Sequence, residues 1–128
     1  MEVLLDTNFV ISCLLKKIDF IEELEGMGFR TILPREVFQE LKDLKKVGKT
    51  SREERAAIDL AMELFSSSKR VKKMTLGHNV VDDALIEKGK QGIYIATLDN
   101  GIKNKIPNRV VIDSARKGLR ISENCTLK

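Results

Sequence analysis

Four carboxylates stand at places in this chain where chemistry can be done. Asp6 closes the run VLLD, Glu40 lies in PREVFQEL, Asp83 in VVDDALI, and Asp99 closes IYIATLD. Each falls at the end of a strand-like run or within a helical one, so an α/β fold can bring all four to one crevice. Gathered there, they would repel one another. Two like charges about 4 Å apart, at an effective dielectric near 20, cost roughly 4 kcal/mol. A hard divalent cation such as Mg²⁺ or Mn²⁺ turns that repulsion into binding, because such ions take oxygen ligands. The chemistry implied is metal-dependent attack on a phosphate.

The elements that must position these acids follow from the hydrophobic pattern. VLL at 3–5 suits a buried strand, and Thr7 or Asn8 can cap a helix through FVISCLLK. A helix from Asp19 to Glu25 stops at the glycines of GMG, and FRTIL follows as a strand. Pro34 suits the first turn of PREVFQELKDLKKV. Ser51 and Glu54 form an S-x-x-E capping signal before EERAAIDLAMELF, whose Ala57, Ile58, Ala61, Met62 and Phe65 share one stripe. RVKKMT at 70–75 reads as a short strand with a basic face. Asn79 is placed to cap VVDDALIEKGK. IYIATL is the clearest buried strand, and RVVID at 109–113 is a last core strand. The tail RKGLRISENCTLK adds a short strand pair or frays. Strands alternating with helices predict a parallel sheet covered on both faces. Ligands of such sheets sit beyond the carboxyl ends of strands, where Asp6 and Asp99 fall.

Length and composition set the frame. The 128 residues suit one domain over 1–128, and 42% hydrophobic residues can bury a core without staples. A formal net charge of +4 is compatible with a polyanionic partner. Cys13 and Cys125 lie far apart with no CxxC, which argues against a zinc or disulfide scaffold. His78 is the single histidine, so a His-rich metal site is excluded. No apolar run reaches the roughly 18 residues of a membrane span. With no signal-like segment before the first strand, the expectation is a cytoplasmic protein.

DTNFVI, PREVFQEL, VDDALI and IATLD, in this order, resemble the PIN-domain nucleases over roughly residues 2–113. The stretch VDDALIEKGKQGIYIATLDNGIKNKIPN is most similar to the branch linked to small-subunit ribosomal RNA processing. The resemblance implies a three-layer α/β/α sandwich with a central parallel sheet. It further implies Mg²⁺- or Mn²⁺-dependent endonucleolytic cleavage of single-stranded RNA. Its acids fall on Asp6, Glu40, Asp83 and Asp99, and its small polar residues near the metal on Asn8 and Thr97. Two departures stand out. Many relatives carry a further Asp where this chain has Gly101, and Asp82 stands beside Asp83, so the helix offers either. One bound ion or two therefore stays open.

In the mechanism so implied, Asp6 and Asp99 are the principal metal ligands. Glu40 and Asp83 hold a second ion or orient waters, and Asn8, Thr97 and Asp82 support them. Lys42, Lys45 and Lys46, with Lys49, and then Lys103, Lys105 and Arg109, are candidates for holding RNA, single-stranded or structured, against the acidic centre. The competing reading of these lysines is a solvated helix face. Phe9 and Phe38 read as core, which predicts backbone-led binding with weak sequence readout. An aspartyl-nucleophile phosphatase also begins with an Asp after its first strand, but needs a second Asp where Asn8 stands. The family resemblance leaves three roles to separate: ribosomal RNA processing, the toxin of a toxin–antitoxin pair, and a weakly active RNA-binding module in ribosome assembly. It admits a homodimer.

Overall fold

A computed structural model describes residues 1–48, 50–77 and 80–123. Lys49, His78, Asn79 and Cys125 lie outside the described residues.

The first strand, β1 (Glu2–Leu5), runs into α1 (Thr7–Leu15) and α2 (Phe20–Gly26) before β2 (Arg30–Pro34). Next come α3 (Arg35–Lys46), α4 (Arg52–Ser67) and β3 (Val71–Met74). The second half holds α5 (Val81–Lys90), β4 (Tyr94–Ala96), α6 (Asn100–Lys103), β5 (Asn108–Asp113) and β6 (Gly118–Glu123). The strands form one six-stranded sheet in the order β3-β2-β1-β4-β5-β6. All pairings are parallel except β5 with β6, where the tail turns back antiparallel.

Strand alternation divides the core into two layers. Val3 and Leu5 of β1, Leu33 of β2, Ala96 of β4 and Val110 of β5 pack with buried residues of α1, α2, α3 and α4. Leu4, Ile32 and Ile95, one residue out of phase, pack with Leu85 of α5 and Ile102 of α6. A period of two thus sends successive strand residues to opposite helix layers, giving an α/β/α sandwich. On the larger side Phe9, Phe20 and Phe65 are fully buried. Each such side chain contributes roughly 1.5–3 kcal/mol through burial, so the domain needs no cross-link. Cys13 is a buried free thiol whose pKa burial pushes up to about 12, which leaves it unreactive. Ala57, Ile58, Ala61 and Phe65 of α4 are core residues, and Met62 packs against them.

Several local expectations shift. The cap of α1 is Asp6, not Thr7 or Asn8: its extended backbone brings the carboxylate onto the Thr7 amide. Pro34 ends β2 and stands at the N-cap of α3. Ser51 caps α4 by accepting from the Glu54 amide at 3.1 Å. Strand β4 stops at Ala96 because the Thr97 side chain turns to the next loop. Phe38 is only half-buried. Among the described residues no helix is long and apolar enough to cross a membrane.

Candidate metal and nucleic-acid site

The chain winds outward from β1 to β2 and β3, then returns to the other side of β1 to add β4. The order reverses at the β1–β4 seam, which is where a crevice opens at the carboxyl ends of a doubly wound sheet. Asp6 leaves β1 at that seam. Its amide donates to the Ala96 carbonyl at 3.0 Å, and its side chain is buried with 6% exposure. Oδ1 accepts from the Thr7 amide and Oδ2 from the Thr97 hydroxyl, both at 2.8 Å. Burial pushes the Asp6 carboxyl above its ordinary range. The Thr97 and Thr7 bonds oppose that rise, and the charges of Asp82 and Asp99 add to it.

Thr97 joins two of the acids. Fully buried, it donates to Asp6 and accepts from the Asp99 amide at 3.1 Å. Asp99 then caps α6, its Oδ1 accepting from the Gly101 amide at 2.7 Å. A Cβ at residue 101 would lie 3.0 Å from that same oxygen, so glycine leaves room for the carboxylate to fold back.

Glu40 reaches the crevice from α3, half-buried. Burial raises its pKa most, followed by the charge of Asp6, with Asp82 and Asp43 contributing. The nearby Thr7 hydroxyl favours the charged form, although Thr7 Oγ1 makes no hydrogen bond within geometric limits. Among the described residues this buried oxygen has no hydrogen-bond partner, a position that normally calls for one.

On α5 the two neighbouring acids behave differently. Asp82 is among the leading charges acting on both Asp6 and Glu40, whereas Asp83 is not. Both side chains are exposed on α5. Asp6, Glu40, Asp82 and Asp99 are thus linked by the charges acting on Asp6 and Glu40, and α5 presents both Asp82 and Asp83.

A residue that the sequence did not flag holds the segment that precedes this helix in the chain. Glu36 sits one turn before Glu40 on α3. Its carboxylate accepts from the Leu76 amide at 3.0 Å and the Gly77 amide at 2.9 Å, in the segment leading to α5. These bonds hold its pKa below the usual carboxylate range, against the opposing effect of desolvation. Its partners lie 40 and 41 residues away, so no local sequence signal announces them.

The remaining candidates scatter. Asn8 is exposed on α1. Lys45 pairs with Asp59 of α4 at 2.6 Å. Arg109 directs its guanidinium inward, to the Lys103 carbonyl at 3.0 Å and to Ser122 of β6 at 2.8 Å and 3.3 Å. It ties α6 to the antiparallel edge. Lys46 and Lys105 are exposed, and Lys103 is half-buried. Lys42 lies over the Phe38 ring, 4.8 Å from its centroid.

The donor set suits a hard cation. Every candidate ligand is an oxygen, and none of the ion pairs among the described residues includes Asp6, Glu40, Asp82 or Asp99. The unpartnered Thr7 hydroxyl beside Glu40 is a further oxygen facing the same charges. Among the described residues no three acidic side chains stand close enough to enclose an ion as they are. Asp82 is exposed, Glu40 and Asp99 are half-buried, and Asp6 is buried.

Comparison with known proteins agrees with this architecture. A solved structure described as the PIN domain endonuclease Utp24 superposes with a TM-score of 0.74 and 22% identity, covering 96% of this chain and 92% of that one. The comparison with curated proteins finds no match. The family model described as a PIN like domain matches residues 3–114, which include all four acids, and the chain belongs to that family.

Proposed function

We propose that this protein is a divalent-metal-dependent endoribonuclease that hydrolyses phosphodiester bonds of single-stranded RNA. One observation carries the reading. At a sheet switch point Asp6 feels the charges of Asp82 and Asp99, and Glu40 those of Asp6 and Asp82, with no cationic side chain paired to these four among the described residues. An arrangement whose raised carboxyl pKa values reflect burial and like charge is a common mark of a functional site.

A bound Mg²⁺ or Mn²⁺ would supply Lewis-acid polarisation of the phosphate and acidify an attacking water. Asp6, held rigidly by Thr7 and Thr97, and Asp99, held by the start of α6, would be its main ligands. Asp82 would complete the set from α5. Glu40 suits the reception of a water proton, because its raised pKa lies nearer neutrality than that of a free carboxylate. Hydrolysis adds the water oxygen to phosphorus and breaks the bond to the 3′ oxygen, which leaves with a proton. The solved structure similar to this chain is that of an endonuclease, and residues 81–108 resemble ribosomal RNA-processing PIN proteins. The second of these supports an RNA-processing role over a toxin role.

The deciding experiment compares Asp82→Asn with Asp83→Asn in cleavage of a labelled single-stranded RNA at saturating Mg²⁺ or Mn²⁺. The expected result is loss of roughly 100-fold or more for Asp82→Asn and near-parental cleavage for Asp83→Asn, with EDTA abolishing both. Parental cleavage in EDTA would sink metal dependence. Equal activity of Asp82→Asn and the parent would sink the site.

A further inference from the structure

Helix α3 carries a second surface that the carboxylate site does not use. Leu33, Arg35, Phe38, Gln39, Lys42 and Lys73 line a groove of about 360 Å³. At its centre is the Phe38 ring, with the Lys42 ammonium 4.8 Å and the Lys73 ammonium 5.5 Å from its centroid. Arg35 is anchored beside it by a 2.6 Å bond to the Thr75 hydroxyl. No acidic residue lines the groove, and none of these three cations is in an ion pair among the described residues.

Two ammonium groups at one ring are each drawn to its π face. They also repel each other, so the cluster favours an anion. The ring adds a demand that a simple anion does not meet, since a half-buried aromatic ring lining the groove suits a planar partner that takes the place of the two ammonium groups over it. An acidic peptide would use the cations and leave the ring idle. A nucleotide uses both.

We propose that this groove is a subsite for one nucleotide of single-stranded RNA, with Lys42, Lys73 and Arg35 on the backbone phosphates and Phe38 under the base. RNA as the ligand rests on the nuclease reading above. The geometry connects the two surfaces. Arg35, Gln39 and Lys42 recur at helical spacing on one face of α3, and Glu36, Glu40 and Asp43 on the adjoining one. Arg35 and Glu36 grip successive residues of the same segment, Thr75 through Gly77, which leads to Asp82. A strand lying in the groove therefore passes toward the acidic crevice around a single helix.

The test measures binding of a labelled single-stranded RNA by fluorescence anisotropy in EDTA across a series of KCl concentrations. Lys42→Ala with Lys73→Ala should lower the slope of log K against log salt by about 1.4, two phosphates at about 0.7 each. Phe38→Leu, which keeps an apolar residue, should weaken binding roughly 5- to 150-fold, the range for one base–aromatic stack. Thermal melts matching the parent confirm that both variants fold, and Lys42→Gln alone gives a milder variant if either does not. Parental affinity and slope in folded variants would overturn the groove while leaving cleavage by the acids intact. Displacement of the RNA by polyglutamate as effectively as by polyuridine would overturn it too. A parent that loses RNA binding with these substitutions yet never cuts RNA would support the groove and refute the nuclease reading alone.

Discussion

The Thr97 hydroxyl donates to Asp6 Oδ2 at 2.8 Å, joining residues 91 apart across the central seam of the sheet. Because Thr97 also accepts from the Asp99 amide, one buried hydroxyl sets the orientation of two acids. Replacing it by the isosteric valine removes both bonds without opening a cavity. Thr97→Val should lower metal-free stability by about 1.5–3 kcal/mol, the range for a hydrogen bond to a charged group. Cleavage should fall roughly 10- to 100-fold, as for loss of a support behind a metal ligand. Urea unfolding and cleavage rates at titrated Mn²⁺ check both. Unchanged metal affinity would show that Thr97 does not orient the ligands.

The pH dependence of the metal-free protein has a definite sign. The Asp6 and Glu40 carboxyls lie above their ordinary values of 3.8 and 4.5 in the folded state. The folded protein therefore binds more protons than the unfolded chain. The associated stability is present at low pH and is lost as pH rises through the raised values. In EDTA the contribution of these two groups makes the melting temperature rise as pH falls through their raised values. Asp6→Asn should flatten that rise and be at least as stable as the parent at pH 7, with cleavage abolished. Divalent metal should stabilise the parent at pH 7 and leave Asp6→Asn nearly unmoved.

Glu36 has the opposite sign. Its pKa lies below 4.5 in the folded state, so its contribution is present at neutral pH and lost as pH falls through that lowered value. Glu36→Gln should loosen the segment from Leu76 to Gly77 and misplace Asp82. A misplacement near 1 Å can lower turnover about 100-fold. Hydrogen exchange should show faster exchange at the Leu76 and Gly77 amides in Glu36→Gln. Protection equal to the parent's would remove Glu36 from the positioning of α5.

Gly89 permits α5 to sit tightly on the sheet. A Cβ there would overlap Ile106 Cγ2, approach Ile106 Cβ at 2.9 Å and Ile95 Cγ1 at 3.3 Å. Ile106 and Ile95 are branched and fully buried, so neither can easily yield. Gly89→Ala should destabilise by about 1–3 kcal/mol through overpacking, even though alanine by itself favours a helix by about 1 kcal/mol. Chemical denaturation decides the sign. A stabilised variant would mean that Ile106 can repack.

Much of the architecture was legible because hydrophobic period is local. VLL, TIL and YIA alternate between two buried faces, and the stripe of α4 repeats at helical spacing. Those patterns are set by residues next to one another in the chain. The same logic placed Asp6 and Asp99 at strand ends. It did not resolve Asp82 from Asp83, because a one-residue rotation about a helix axis depends on what that helix packs against. Phe38 read as core since an aromatic on an amphipathic helix usually is, and only the position of Lys73 on a distant strand shows it at a groove. Arg109 read as a free cation until β6 folded back and engaged its guanidinium. The cap of α1 also moved, from Thr7 or Asn8 to Asp6, because extended backbone at the seam turns that carboxylate onto its neighbour.

The amino-acid order by itself determined an alternating α/β chain, the strand end that carries Asp6, and a resemblance to PIN-domain nucleases. Periodicity and spacing are properties of neighbours, and neighbours are what a sequence displays. Tertiary structure alone decided that the charge of Asp82 acts on Asp6 and Glu40, that Thr97 couples Asp6 to Asp99, and that Glu36 anchors the approach to α5. The Glu36 and Thr97 bonds join residues 40 or more positions apart, and their geometry exists only once the sheet has aligned β1 with β4 and set α3 against the segment entering α5.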